Sequence, residues 1–459
     1  MTGGSPCLAS DPSSGGAGGV EALLAECGVA LPGARVSGRQ PDLEWARSGA
    51  MALSGLPGGP PLLAPAPLAT RAREVGEALR ALSGAEALAE LDAAALLGER
   101  AALFDLRRQG ARSPGGSCRL LEAADGWLAL NLARPDDAAL LPAWLGEGDA
   151  SDPWAFAAER VARGSVDALV ERGRLLGLPL APASNPPRES LPWARIGERG
   201  PARARGASQL PLVVDLSALW AGPLCTHLLQ LAGARVVKVE STRRPDGARF
   251  GPGAFLDLLN AGKQSVALDF ASPEGRARLR CLLERADIVV ESARPRALAQ
   301  LGIEAEALVR AVPGLSWVSI TGYGRRPPGA NWVAFGDDAA VAAGLAAATG
   351  APDGPPIFCG DAIADPLAGL HAALVALASF RRGGGYLLDV ALRDVVAHLL
   401  LRGGSAREAR VERAGSGWQV AQGAARQAVL PPRARTARGC ARSLGADTEA
   451  VLAELGAPC

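Results

Sequence analysis

An α/β fold is predicted for the second half of this 459-residue chain: a parallel, Rossmann-like sheet with helices on both faces, accompanied by a smaller α+β domain. Three observations predict it. The stretch LPLVVDLSALWAGPLCTHLLQLAGARVVKVE (210–240) reads as a buried apolar strand, a small-residue turn at Ala221-Gly222-Pro223, a short helix and a second apolar strand, the opening of a βαβ unit. Apolar strand blocks then recur through LLNAGKQSVALDF (258–270), ADIVVESARPRALAQLGI (286–303) and SWVSITGYG (316–324), alternating with helical patterns up to about 400. The last block, GDAIADPLAGLHAALVAL (360–377), is an apolar helix introduced by Asp-Pro.

The elements before 210 follow a different pattern. Residues 1–19 are Gly- and Ser-rich, without the basic segment and apolar core of a signal peptide, and read as a flexible start. Residues 20–185 are mostly helical by pattern, with charges spaced as on a solvated face in VGEALRALSGAEALAELDAAALLGERAAL. DGWLALNL (125–132) is a strand candidate. The span 186–209 is rich in Pro, Gly and Arg with no apolar period, which marks a linker. The main unit runs over 210–404. The tail, 405–459, ends in a helix that Asp447 or Thr448 can cap.

Composition narrows the function. The 48 basic residues are balanced by 47 acidic ones, which argues against a nucleic-acid surface. No apolar run reaches the roughly 18 residues that a membrane span needs. The 8 cysteines are scattered without CxxC pairs, so neither a disulfide framework nor a zinc site follows; reduced thiols in the cytoplasm and no metal are expected. Lys238 and Lys263 are the only lysines, and both lie inside the strand blocks.

The chain also repeats itself. Residues 45–82 align without a gap on 340–377: Gly55, Pro60 and Pro61 fall on Gly350, Pro355 and Pro356, and Ala78, Leu79 and Leu82 fall on Ala373, Leu374 and Leu377. Asp365 falls on Thr70.

In their order and spacing, the blocks over about 210–400 resemble the class III CoA-transferases, the family that includes formyl-CoA and carnitine-CoA transferases and the α-methylacyl-CoA racemases. DGWLALNLARPDDAALLPAWLG and LGLPLAPASNPPRE resemble parts of the family's smaller domain, which normally follows the main unit. The chain therefore places a degenerate later half first and an intact earlier half second. Family dimers are interlocked rings, so the resemblance implies a homodimer whose threading this order alters.

The resemblance implies that Asp365 is the nucleophile of an acyl-CoA:carboxylate CoA-transfer, with Gly369 four residues on as in the family. By local sequence Asp365 is also a helix N-cap, and a helix N-terminus would keep its carboxylate ionised. Coenzyme A is the implied cofactor, carried as acyl-CoA, and a carboxylic acid is the second substrate. Its implied binding residues are Gly222 at a helix N-terminus, Lys238, Asn260, Lys263, Arg294, and Gly322 and Tyr323 of the TGYG loop. Gly360 and that loop are candidates for oxyanion stabilisation.

Two departures bear on the reaction. Phe335, in VAFGDDAAVAAGL, stands near the position where the racemase branch carries a histidine, and His227, His371 and His398 all fall in apolar helical patterns. Without an acid and base pair flanking an α-carbon, transfer is favoured over racemisation. Trp220 stands where formyl-CoA transferases carry a glutamine, which points to a bulkier acid or an altered pocket. A CoA-binding paralogue without activity is the remaining alternative, since the Thr70 copy has lost the carboxylate.

Overall fold

A computed structural model describes residues 19–29, 40–189, 191–206, 208–351, 354–401 and 408–456. The flexible start expected over 1–19 lies outside the described residues except for Gly19.

The N-terminal region is less helical than its pattern suggests. Helices Pro41–Arg47 and Leu68–Ser83 precede a three-stranded antiparallel sheet, β1 (Cys118–Ala123), β2 (Gly126–Asn131) and β3 (Leu180–Pro182). The strand candidate at 125–132 is β2. Trp144, Phe156 and Val161 pack on this sheet and give it a core of its own, so the small domain is α+β, as expected.

The second half is built on a seven-stranded sheet ordered β4-β10-β9-β8-β5-β6-β7. Its strands are β4 (Ala194–Arg199), β5 (Leu212–Asp215), β6 (Arg235–Ser241), β7 (Gln264–Leu268), β8 (Ile288–Glu291), β9 (Ser316–Thr321) and β10 (Tyr386–Ala391). All pair in parallel except β4, which runs antiparallel along β10. Runs such as LVVD, RVVKVES and IVVE form these strands because β-branched residues suit a sheet covered on both faces. The span expected to be a linker therefore holds an edge strand. Beyond it, Arg203 and Arg205 pair with Asp287 and tie the connection down.

Helix Ala364–Arg381 is apolar around its whole circumference and is buried accordingly. It packs between helix Ala221–Leu231, helix Leu68–Ser83 and helix Leu392–Leu401. Gly369 allows the closest of these contacts: a Cβ there would lie 2.6 Å from the Ala221 carbonyl oxygen. The tail adds a second antiparallel sheet, β11 (Arg410–Ala414), β12 (Gly417–Gln422) and β13 (Ala425–Ala428), against helix Pro41–Arg47. Its last helix is Thr448–Glu454, packed on β7. Asp447 precedes it but does not cap it; the carboxylate accepts from the Ser265 N–H and from Arg442.

Candidate active site

The chain order in the sheet reverses between β5 and β8: β6 and β7 extend to one side, β9 and β10 to the other. Open α/β sheets bind ligands at the carboxyl ends of their strands beside such a reversal. A cleft of about 230 Å³ lies there. Ala218 and Leu219 after β5, Ser292 and Arg294 after β8, and Gly322 after β9 line it, and Asp365 faces it.

Asp365 is the second residue of its helix. The N-cap position is Ile363, with no side-chain cap, so the expected capping role is not the one Asp365 has. The approach to the helix is strained: Ala362 has φ of 41°, a conformation that non-glycine residues rarely adopt. Against the carboxylate lies Gly336, where a Cβ would stand 2.2 Å from Asp365 Oδ2 and 2.3 Å from the Ala362 carbonyl oxygen. Only glycine fits there. Asp365 is half-buried, open to the cleft on one side. Burial raises its carboxyl to about 7, Arg100 opposes the rise, and Asp337, Asp338 and Asp361 add to it. The sequence expectation of a carboxylate held ionised by the helix N-terminus is therefore corrected: desolvation and three like charges outweigh the dipole.

The first half reaches this acidic cluster in three places. Arg100 grips Asp361 with both prongs, at 2.8 and 2.6 Å. Asn131 Nδ2 donates to Asp338 Oδ1 at 2.8 Å. Ser113 lies beside Asp337 and helps to hold its carboxyl down. Asn131 Oδ1 and Asp338 Oδ2 are both buried without partners. The two orphans sit on the two side chains joined by this bond. Burial, offset in part by the Asn131 bond, pushes the Asp338 carboxyl up to about 7.

The expected ligand residues divide into two groups. Arg294 and Gly322 line the cleft. Arg134 also lines the cleft, and burial together with the charges of Arg296, Arg134 and Arg244 lowers the pKa of Arg294. Lys238, Asn260 and Lys263 are buried below the sheet ends. Lys238 Nζ pairs with Asp246 at 2.9 Å and donates to the Ser217 carbonyl. Lys263 Nζ bonds Asp215, Pro223, Thr226 and Asn260 at 2.7–3.0 Å. Burial lowers the Lys263 amine to about 8 against the pull of Asp215, while the two lysines hold Asp215 well below the usual carboxylate range. Both amines brace the β5 turn. Gly222 is a close-packing glycine, its Cβ position 2.1 Å from Ser217 Cβ. Tyr323 is buried, its hydroxyl shared between Arg174 and the Leu180 carbonyl of the first half. The Gly360 N–H donates to Ser54 Oγ and is not available to an oxyanion.

Trp220 does not line the cleft. Its ring is buried against Phe255 and under Arg100, so it packs the fold. His371 and His398 bond the carbonyls of Leu367 and Leu191, and His227 is buried, as their apolar patterns indicate. Sequence reasoning missed Arg100, Arg134 and Asn131. Arg134 and Asn131 lie in a quoted block, but nothing local marks them as neighbours of the cleft.

Residues 211–426 match the model of CoA-transferase family III. The chain is 34% identical over 199 residues to succinyl-CoA–D-citramalate CoA-transferase of Chloroflexus aurantiacus, covering 41% of this chain and 50% of that protein. It is 33% identical over 205 residues to succinate–glutarate CoA-transferase of Agrobacterium fabrum, covering 41% and 51%. A formyl-CoA:oxalate CoA-transferase of Escherichia coli is 30% identical over 198 residues, covering 41% and 48%. The chain thus spans about half the length of the curated relatives it matches. A solved CAIB/BAIF family protein from Brucella suis is 28% identical, covers 49% of this chain and 66% of its own, and has a TM-score of 0.41. Among the described residues no helix is long and apolar enough to cross a membrane, and no group of three or more His, Cys, Asp or Glu side chains could hold a metal ion.

Proposed function

We propose that this protein is an acyl-CoA:carboxylate CoA-transferase working through an aspartyl-CoA thioester at Asp365. One observation carries the reading: Asp365 faces the switch-point cleft, with Gly336 pressed against its carboxylate. Ionised Asp365 attacks the thioester carbonyl, the C–S bond breaks, and a mixed anhydride and CoA thiolate form. The thiolate attacks the aspartyl carbonyl, releases the first acid as its carboxylate, and leaves aspartyl-CoA. An incoming carboxylate repeats the steps in reverse. A carboxyl raised by burial is the more basic and more nucleophilic once ionised, which suits the attack on the thioester.

Coenzyme A fits the charge distribution. Its phosphates suit the group of Arg294, Arg296, Arg134 and Arg244, and its thioester end points towards Asp365. The relatives named for transfer between dicarboxylic acids support the reaction class. Racemisation has less support. Phe335 occupies the cleft wall where a base would be needed, and Asp337 and Asp338 are sealed beneath it. The test is incubation with acyl-CoA and unlabelled acid in deuterated water. Appearance of the second acyl-CoA without deuterium at the α-carbon supports transfer; deuterium incorporation without exchange of acids would replace it with racemisation.

A further inference from the structure

A second cavity of about 290 Å³ adjoins the Asp365 cleft. The two share Gly329 and Trp332 as a wall. Neighbouring residues split between them: Gly322 and Leu392 line the first, Tyr323 and Arg393 the second. Consecutive Cα atoms are about 3.8 Å apart, so the cavities lie side by side. Trp332, the partition, is half-buried and is held by Arg174 stacked 3.8 Å above its ring and by Tyr323 edge-on at 5.2 Å.

The second cavity is built for an anion. Arg195 and Arg393 both pair with the single carboxylate of Asp394, Arg393 Nε at 2.7 Å, so two guanidinium groups share one counter-charge. Neither is fully covered, at 30% and 31% side-chain exposure, so each keeps N–H donors for a ligand. Arg326 adds a third, exposed guanidinium at the rim. The fifth charged group, Asp389, is 4% exposed. Its Oδ2 accepts from the Arg325 N–H at 2.9 Å and its Oδ1 has no partner.

We propose that this cavity binds the far carboxylate of a dicarboxylic acid whose near carboxylate is exchanged at Asp365. Arg393 and Arg326 would hold that carboxylate, and the acid's carbon chain would pass the edge of Trp332. Asp389 does not oppose the same ligand: burial raises its carboxyl and so favours the neutral form. The proposal rests on the transfer reading for which carboxylate is exchanged, but binding can be measured without turnover.

Ligand-observed NMR titration of the full chain with glutarate and with valerate, equal in length, separates the two ends of the acid. Glutarate is expected to bind about tenfold tighter, as one charge-assisted arginine contact allows. Arg326→Gln leaves the Asp394 pairs intact, and it and Arg393→Gln should each reduce that preference to about threefold or less. Valerate affinity should hold. Equal binding of the two acids by the wild type, no binding of either, or an undiminished preference in both variants overturns the proposal. A loss of coenzyme A affinity in the variants, with glutarate unaffected, assigns the cavity to a CoA phosphate and also overturns it. A protein that prefers glutarate yet transfers nothing would remove the transfer reading and leave the site.

Discussion

The two copies of the internal repeat have the same local fold and opposite chemistry. Helix Pro41–Arg47 aligns with Gly336–Ala342, the helical turn Ala50–Leu53 with Leu345–Thr349, and helix Leu68–Ser83 with Ala364–Arg381. Even the left-handed glycines coincide, Gly49 at φ 86° and Gly344 at φ 91°. The two long helices pack on each other. Three positions separate a site from a scaffold. Asp365 becomes Thr70, a fully buried residue whose hydroxyl has no partner. Gly336, which leaves room for the carboxylate, becomes Pro41. Gly369, which lets helix Ala221–Leu231 approach, becomes Glu74, paired with Arg71 at 2.7 Å in a buried ion pair. Local fold survives such changes because it depends on apolar spacing and turn glycines. A site does not, because it depends on single contacts of a few ångströms.

The largest expected effect comes from giving the intact copy a neutral residue of the same shape. Asp365→Asn should lower transfer by about 10⁴-fold or more, as loss of a nucleophile does elsewhere, with fold and CoA affinity retained. Near-normal turnover in that variant would end the comparison.

Gly336→Ala tests the second position. Its Cβ would fall 2.2 Å from the carboxylate, so activity should drop by about 10²-fold through misplacement of Asp365. Wild-type rates would mean that the glycine is incidental. Gly369→Glu installs the twin's residue where a Cβ already stands 2.6 Å from the Ala221 carbonyl. Overpacking and an unpaired buried charge should cost about 3–5 kcal/mol in denaturant unfolding.

The fourth test concerns the charge of Asp338, where the two halves meet. A carboxyl raised to about 7 in the folded state and near 3.8 when unfolded binds its proton more tightly when folded. Its contribution is therefore most favourable at low pH and is lost as pH rises from about 4 to about 7. Asp338→Asn keeps the pairing with Asn131 without the proton. It should be close to neutral at pH 4 and stabilising by about 1–4 kcal/mol at pH 8. Equal effects at both pH values would place the proton elsewhere. The smallest change is expected in the degenerate copy: Thr70→Val removes an unpartnered hydroxyl and should shift stability by less than about 1 kcal/mol without affecting transfer.

The sheet was readable from the sequence because its valine runs announce buried parallel strands, whereas Asp365 was singled out by the family resemblance of its block, since its local sequence alone reads as a helix cap. Lys238 and Lys263 show where such reading stops. Their blocks were identified, but only the fold reveals that their amines turn inward to Asp246 and Asp215. Arg100 and Asn131 were invisible for another reason. Their partners, Asp361 and Asp338, are 261 and 207 residues away, across a rearranged chain. Edge strand β4 was hidden because ARIGER pairs on one side only and has no clear apolar alternation.

The central claim is that a covalent intermediate forms on Asp365 and not on its twin or neighbours. The direct measurement is peptide mapping by mass spectrometry after acyl-CoA is added and the reaction is quenched, with hydroxylamine in a parallel sample. The account predicts a CoA thioester on the peptide carrying Asp365, replaced by a hydroxamate at the same residue in the hydroxylamine sample. A label on Asp337, Asp338 or Asp361, or no label while transfer proceeds, would contradict it.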